Sequence, residues 1–389
     1  MTDLFNDECH ICGGRDFSLC LKEFKFPFIT SDCRPWSGSV ELRQCSACGG
    51  ITKRPSDDWK VGVSAIYASY QPYYQAEGTE QKLRDGASFR PRSAVLVDHI
   101  RQTVDLPEQG TALDIGTGNG VFLRSFADRF PNWDLAGNDL GGHFRSVIEG
   151  ISERARFIAG RIEDIPGCFD LISMVHMLEH AFEPRTFLAQ VARMLSDRGL
   201  CFVQVPNLAS NPFDLVIYDH ATHFTPSRLR QIAAHAFAGA IWLETDWNPK
   251  EISLLGGPGV GKAAAEPRPD DQPSDDQLST LIGWLNGVVE QARAARHSGR
   301  PFGVFGTSIA GTWLGAALEG DFDFFVDEDE ARVGRHHMER PICRPGEAHE
   351  GSLVLVPFPP KIAQEIAQRF SPLPFECIIP GPIVPAGSG

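Results

Sequence analysis

The chain of 389 residues has no uninterrupted apolar run long enough to cross a bilayer, and it has no surplus of positive charge. The first absence argues against a membrane-spanning helix, which needs roughly 20 consecutive apolar residues. The second argues against a general nucleic-acid or anionic-membrane binder, because 36 Lys and Arg face 50 Asp and Glu, a net charge of -14. The acidic start, Met1 to Glu8, shows no basic stretch followed by an apolar one, so no secretory leader is expected and the cytoplasm is the expected location. Tyrosine is scarce, yet Tyr67, Tyr70, Tyr73 and Tyr74 account for four of the five. Cysteine is not scarce. Ten are present, and in a reducing compartment metal ligation is expected before disulfides. Hydrophobic content of 42% with 22% charged residues is globular, and the length calls for two or three domains.

Two Cys-x2-Cys knuckles, Cys9/Cys12 and Cys45/Cys48, are each followed by a Gly-Gly pair. Four thiolates on two tight turns form a closed cage suited to a structural Zn2+, with Cys9, Cys12, Cys45 and Cys48 as ligands. Cys20 and Cys33 read as core or loop residues, either of which could replace a ligand. The expected units are a zinc-binding module over 1–65, a central α/β domain over 66–255, a linker over 256–277 and a C-terminal α/β domain over 278–389. Within the second unit, short apolar runs alternate with helical patterns, as in a doubly wound α/β sheet. Strands are expected at 112–115, 134–138, 155–159, 169–174, 199–204, 240–245 and 250–255.

The segment Asp114-Ile115-Gly116-Thr117-Gly118-Asn119-Gly120 reads as a strand end, an acid and a glycine turn before a helix. Its G-x-G-x-G spacing resembles motif I of class I S-adenosylmethionine (SAM) methyltransferases. That resemblance implies a Rossmann-like fold, SAM as cofactor, and a turn built by Gly116, Gly118 and Gly120. Asp139 then ends the second strand, where a carboxylate accepts the ribose hydroxyls. Ile162 and Glu163 fall where an apolar residue and a polar neighbour flank adenine, and His176, in Phe169 to His180, falls in the fourth-strand motif beside SAM. The alternative is a Rossmann-like domain whose glycines serve packing alone.

The order of zinc knuckles, SAM domain and small α/β domain is similar to the C-methyltransferases of nucleotide-activated deoxyketosugars. In that family a segment of the type I-Y-H-E-H-x-x-Y-F supplies a histidine base with an acidic neighbour. Here Tyr218-Asp219-His220-Ala221-Thr222-His223-Phe224 places Asp219 on the acid, His220 on the base and His223 on the later tyrosine. Tyr218 is one place from the family's tyrosine, and Tyr70, Tyr73 or Tyr74 would reach the acceptor. The chemistry fits those residue types. Methylating a carbon beside a ketone needs a base near neutral pH and a donor for the enolate. The implied acceptor is a nucleotide sugar, with no nucleic acid, no membrane and an undetermined oligomeric state. Rival readings are O- or N-methylation of a small metabolite, and a SAM-fold scaffold without catalysis.

Two further features complete the sequence. Gly256 to Lys262 spells G-x4-G-K, but Ala263 stands where a phosphate loop needs Ser or Thr. In the last unit, Thr307 and Ser308 open a helix whose N-terminus suits a phosphate, and Arg332, Arg335, His336 and His337 read as a basic patch or a solvated face.

Overall fold

The structure, a computed structural model, describes residues 7–21, 24–85, 88–260 and 276–384. The N-terminal part holds strands β1 (Phe17–Leu21), β2 (Phe28–Ile29), β3 (Pro35–Trp36), β4 (Leu42–Cys45) and β5 (Ile51–Lys53). Helix α1 (Asp57–Ala68) begins where the Ser56 side chain accepts the Trp59 N–H, with Asp57 and Asp58 in the positive first turn. Trp59, Val63 and Ile66, at helical spacing, form its buried face. A hairpin, β6 (Lys82–Asp85) with β7 (Ser88–Pro91), leads into α2 (Arg92–Thr103).

The central part runs β8 (Thr111–Ile115), α3 (Val121–Arg129), β9 (Asp134–Asp139), α4 (Arg145–Glu149), β10 (Ala155–Ala159), β11 (Phe169–Val175), α5 (Pro184–Arg193) and β12 (Leu195–Pro206). Then come β13 (Thr222–His223), α6 (Pro226–Ala236), β14 (Ile241–Glu244) and β15 (Glu251–Gly256). Seven of these strands make one sheet in the order β10-β9-β8-β11-β12-β15-β14. Strand order reverses between β8 and β11, so a crevice opens at their C-terminal ends, where α/β folds bind ligands. The seven strands lie where the apolar runs placed them, but the sheet is mixed. β15 runs antiparallel to both β12 and β14, because the short link from β14 permits a hairpin and no crossover.

The C-terminal part follows α7 (Gln277–Arg296) with β16 (Phe302–Phe305), α8 (Ile309–Ala317), β17 (Phe324–Val326), β18 (His336–His337), β19 (Arg340–Cys343), β20 (Leu353–Leu355), α9 (Pro360–Phe370) and β21 (Glu376–Ile378). Its sheet order is β18-β19-β17-β16-β20-β21, parallel except for β18. Of the expected linker, Gly256 closes β15, residues 257–260 form a turn, and residues 261–275, Lys262 among them, lie outside the described residues.

The N-terminal module is stitched into the core. β13 extends the β1-β4-β5 sheet by pairing antiparallel with β5, Thr222 opposite Thr52 and His223 opposite Ile51. The loop just before β13 is therefore held between two units.

Candidate active site

The glycine turn sits at the crevice. Gly116, Gly118 and Gly120 have φ of +72°, +49° and +74°, the left-handed region that glycine adopts without steric cost. A Cβ at Gly116 would meet Met177 Cγ at 2.8 Å, and one at Gly120 would collide with Ile148. Asp114, buried behind the turn, accepts the Ser173 hydroxyl at 2.7 Å, and burial pushes its carboxyl up to about 7. Asp139 ends β9 and accepts the Gly118 N–H at 3.3 Å; burial raises its pKa too. Ile162 is buried on the cavity wall, whereas Glu163 lies at the rim with its carboxylate held by Arg161 at 3.2 Å.

One cavity of about 940 Å³ joins this turn to residues from all three parts of the chain. Its lining also includes His176, His180 and His220, with Arg92 and Lys250, and Ser308 and Arg332 from the C-terminal domain. Tyr67, near the end of α1, and Tyr70 and Tyr73 after it line the cavity, and desolvation keeps their phenols protonated.

His220 Nδ1 donates to Asp214 Oδ1 at 2.6 Å, and the opposite oxygen, Oδ2, accepts from His223 Nδ1 at the same distance. Burial opposes ionisation of Asp214, but the two imidazoles hold its carboxyl well below the usual range. Burial in turn brings the His220 pKa down to about 4, although Asp214 works against it. His220 is thus neutral at physiological pH, with its Nδ1 proton fixed on Asp214 and its Nε2 lone pair free. This carboxylate–imidazole pair is the arrangement that orients a general base.

His176 adopts φ +53° after β11; its Nδ1 meets Glu179 Oε1 at 3.1 Å and its Nε2 accepts from Arg92. Burial and then Arg92 hold it well below its usual pKa. His176 is therefore neutral and engaged at both nitrogens.

Four expected catalytic side chains do not line the cavity. Tyr218 packs among Phe28, Trp36 and Trp59, its ring against Gly38 and Gly62. Asp219 does not partner His220; it accepts the Ser31 N–H at 2.9 Å and hydroxyl at 2.6 Å. His223 is buried on the module side of Asp214, in the strand that pairs with β5. Tyr74 is exposed, with the Arg34 guanidinium 6.0 Å from its ring centroid, and Tyr73 faces the cavity in its place. The reason is shared. Trp59 Nε1 donates to the Tyr218 carbonyl at 2.9 Å, the Tyr218 N–H donates to Ile29, and buried Lys53 reaches the Ile217 carbonyl. Module contacts fix the loop so that His220 turns inward and its neighbours turn away. Replacing Tyr218 by Ala is expected to cost about 3 kcal/mol of stability through the cavity left. Tyr218→Phe is expected to turn over normally, and a tenfold loss of rate would contradict a packing role.

Sequence reasoning overlooked Asp214, Arg92 and Lys250. Asp214 had a signal, a lone carboxylate inside the apolar run Phe213–Ile217. Of the proposed basic patch, Arg332 is buried beside Asp327 at 3.3 Å, Arg335 pairs with Glu77, and His337 meets Thr312 at 2.8 Å. Only Arg332 among the four reaches the cavity.

Cys9, Cys12, Cys45 and Cys48 converge, with Cys9–Cys48 and Cys12–Cys45 sulfur pairs 3.6 Å apart and all four within 4.8 Å. A tetrahedron with bonds of about 2.3 Å has edges of about 3.8 Å, so the cage fits Zn2+. The Gly14 and Gly50 N–H groups point at Cys12 and Cys48 sulfur, the polarity that a bound thiolate wants.

Residues 88–238 match the family model described as a methyltransferase domain. A ubiquinone biosynthesis O-methyltransferase of Chromobacterium violaceum is 26% identical over 149 residues, 33% of this chain and 63% of that protein. A demethylspheroidene O-methyltransferase of Rhodobacter capsulatus is 35% identical over 86 residues, 22% of each. The chain spans about half the length of the curated relatives it matches. Among solved structures, an O-methyltransferase family protein of Burkholderia thailandensis aligns with a TM-score of 0.37 at 19% identity, over 44% of this chain and 57% of that one. Sheet order, glycine turn and family match define the central part as a class I SAM-dependent methyltransferase domain.

Proposed function

We propose that the chain is a SAM-dependent methyltransferase acting on a small-molecule acceptor, with His220, oriented by Asp214, as the base that frees the nucleophile. The observation carrying this reading is the Asp214–His220 pair opening on the same cavity as the glycine turn. When bound, SAM supplies an electrophilic methyl group. Gly116, Gly118 and Gly120 would let the backbone approach it, Asp139 would accept its ribose hydroxyls, and Ile162 would pack on its adenine. His220 Nε2 would take the acceptor proton, and a protonated phenol from Tyr67, Tyr70 or Tyr73 would donate to the oxygen that gains charge. Asp139→Ala is expected to weaken SAM binding about 10- to 100-fold by calorimetry, the worth of charged hydrogen bonds. Unchanged affinity would remove Asp139 from the cofactor site.

The acceptor class we favour is a nucleotide-activated ketosugar methylated at carbon. Supporting it are the resemblance of the domain order and the cations Arg92, Lys250 and Arg332 around the cavity, which suit a diphosphate. O-methylation is the second reading, favoured by the similarity to proteins named as O-methyltransferases. Product NMR separates them, a C–CH3 signal against an O–CH3 signal. Carbon methylation further requires His220-dependent exchange of the acceptor's α-proton with deuterium. Turnover without that exchange would leave the oxygen reading. We assign the four-cysteine cage to a structural Zn2+, expected at one equivalent per chain by metal analysis.

A further inference from the structure

We propose that Glu179, His180 and His220 form a divalent-cation site of two imidazoles and one carboxylate, separate from the four-cysteine cage. One ligand atom from each lies within 4.8 Å of the others, and the two rings meet edge to face with centroids 4.7 Å apart. Both imidazoles are already arranged as metal ligands are. His220 Nδ1 is held by Asp214, and His180 Nδ1 donates to the Asp219 carbonyl at 2.9 Å. That leaves Nε2 of each ring as the ligand atom and fixes both tautomers, the outer-sphere pattern of metal-bound histidines.

Glu179 supplies an independent sign. It is fully buried, its Oε1 meets His176, and its Oε2 has no hydrogen-bond partner. An orphaned carboxylate oxygen costs free energy that a cation would recover. His180 and His220 line the cavity while Glu179 lies behind them, so three protein ligands would leave positions open toward the acceptor. A two-nitrogen, one-oxygen set suits Zn2+, Co2+ or Fe2+ better than Mg2+ or Ca2+.

The consequence rests on the role of His220 proposed above. A cation on Nε2 occupies the lone pair that would take the proton, so methyl transfer through the free base falls as this site fills. The test uses the full chain with its cysteine cage loaded with zinc, titrated with Co2+ and followed by absorption and metal analysis. The expected result is a second equivalent with weak d–d bands and no thiolate charge-transfer band. Glu179→Gln and His180→Ala are each expected to weaken that equivalent at least about 100-fold while the first stays bound. Retention of the zinc and of the melting profile would show that the variants fold. A wild-type chain that stops at one equivalent, or a second one indifferent to both variants, overturns the site. Because the readout is metal content, a His220 that proves dispensable for turnover would sink the base assignment and leave this site standing.

Discussion

His220→Ala is expected to lower methyl transfer about 10³-fold while SAM still binds, within the 10²- to 10⁴-fold range that general-base catalysis supplies. The glycine turn and Asp139 are placed by β8 and β9 and not by the loop that carries His220, so the loss should fall on turnover and not on cofactor affinity. Asp214→Asn should come close to the same loss. An amide can donate to Nδ1 and so favour the tautomer that carries its proton on Nε2, which would face the acceptor with the wrong group. Asp219→Asn should do much less, because Asp219 binds Ser31 and not His220. Steady-state rates with calorimetric SAM affinities check all three. If Asp219→Asn were the crippling variant and Asp214→Asn mild, the orientation assigned to His220 would be wrong.

The second large effect concerns the cysteine cage. Cys48→Ser, or stripping with a strong chelator, is expected to unfold the N-terminal module, since structural zinc contributes about 10 kcal/mol or more in small sites. The loss should reach the chemistry. β5 carries Lys53 at its end and pairs with β13, and together they hold the loop that presents His220. Metal-free protein is therefore expected to lose turnover at least about tenfold while SAM still binds the central sheet. Calorimetry and rate measurements before and after zinc restoration check this. Full activity without metal would mean that the loop holds its shape unaided.

Local rules made the central fold legible. Apolar runs of four to seven residues, glycine turns and helical spacing are written in adjacent residues, and each strand of the large sheet formed where its run lay. Asp139 followed from its place at a strand end. The hydrogen-bond partner of His220 was not legible because adjacency in sequence is not adjacency in space. Asp219 is next to His220 along the chain, yet successive residues of an irregular loop point to different sides, and Asp214 reaches back from a short helical turn six residues earlier. Arg92 and Lys250 were missed for a similar reason. They stand 158 positions apart, at the start of α2 and just before β15, and only the sheet order brings them to one cavity. Tyr218 misled because a tyrosine beside a histidine fits the chemistry, whereas the aromatic cluster that claims it comes from residues 28, 36 and 59.

The pairing of Thr222 and His223 with β5 bears on how this chain can be cut. A fragment starting at residue 66 would keep the whole seven-stranded sheet and look like a minimal enzyme. It would also leave the backbone of β13 as an open edge and bare Tyr218, which is 3% exposed in the intact chain. Open edges beside apolar surface recruit other chains. Such a fragment should aggregate rather than work slowly, so trimming toward a smaller catalyst has to begin elsewhere than at the amino terminus.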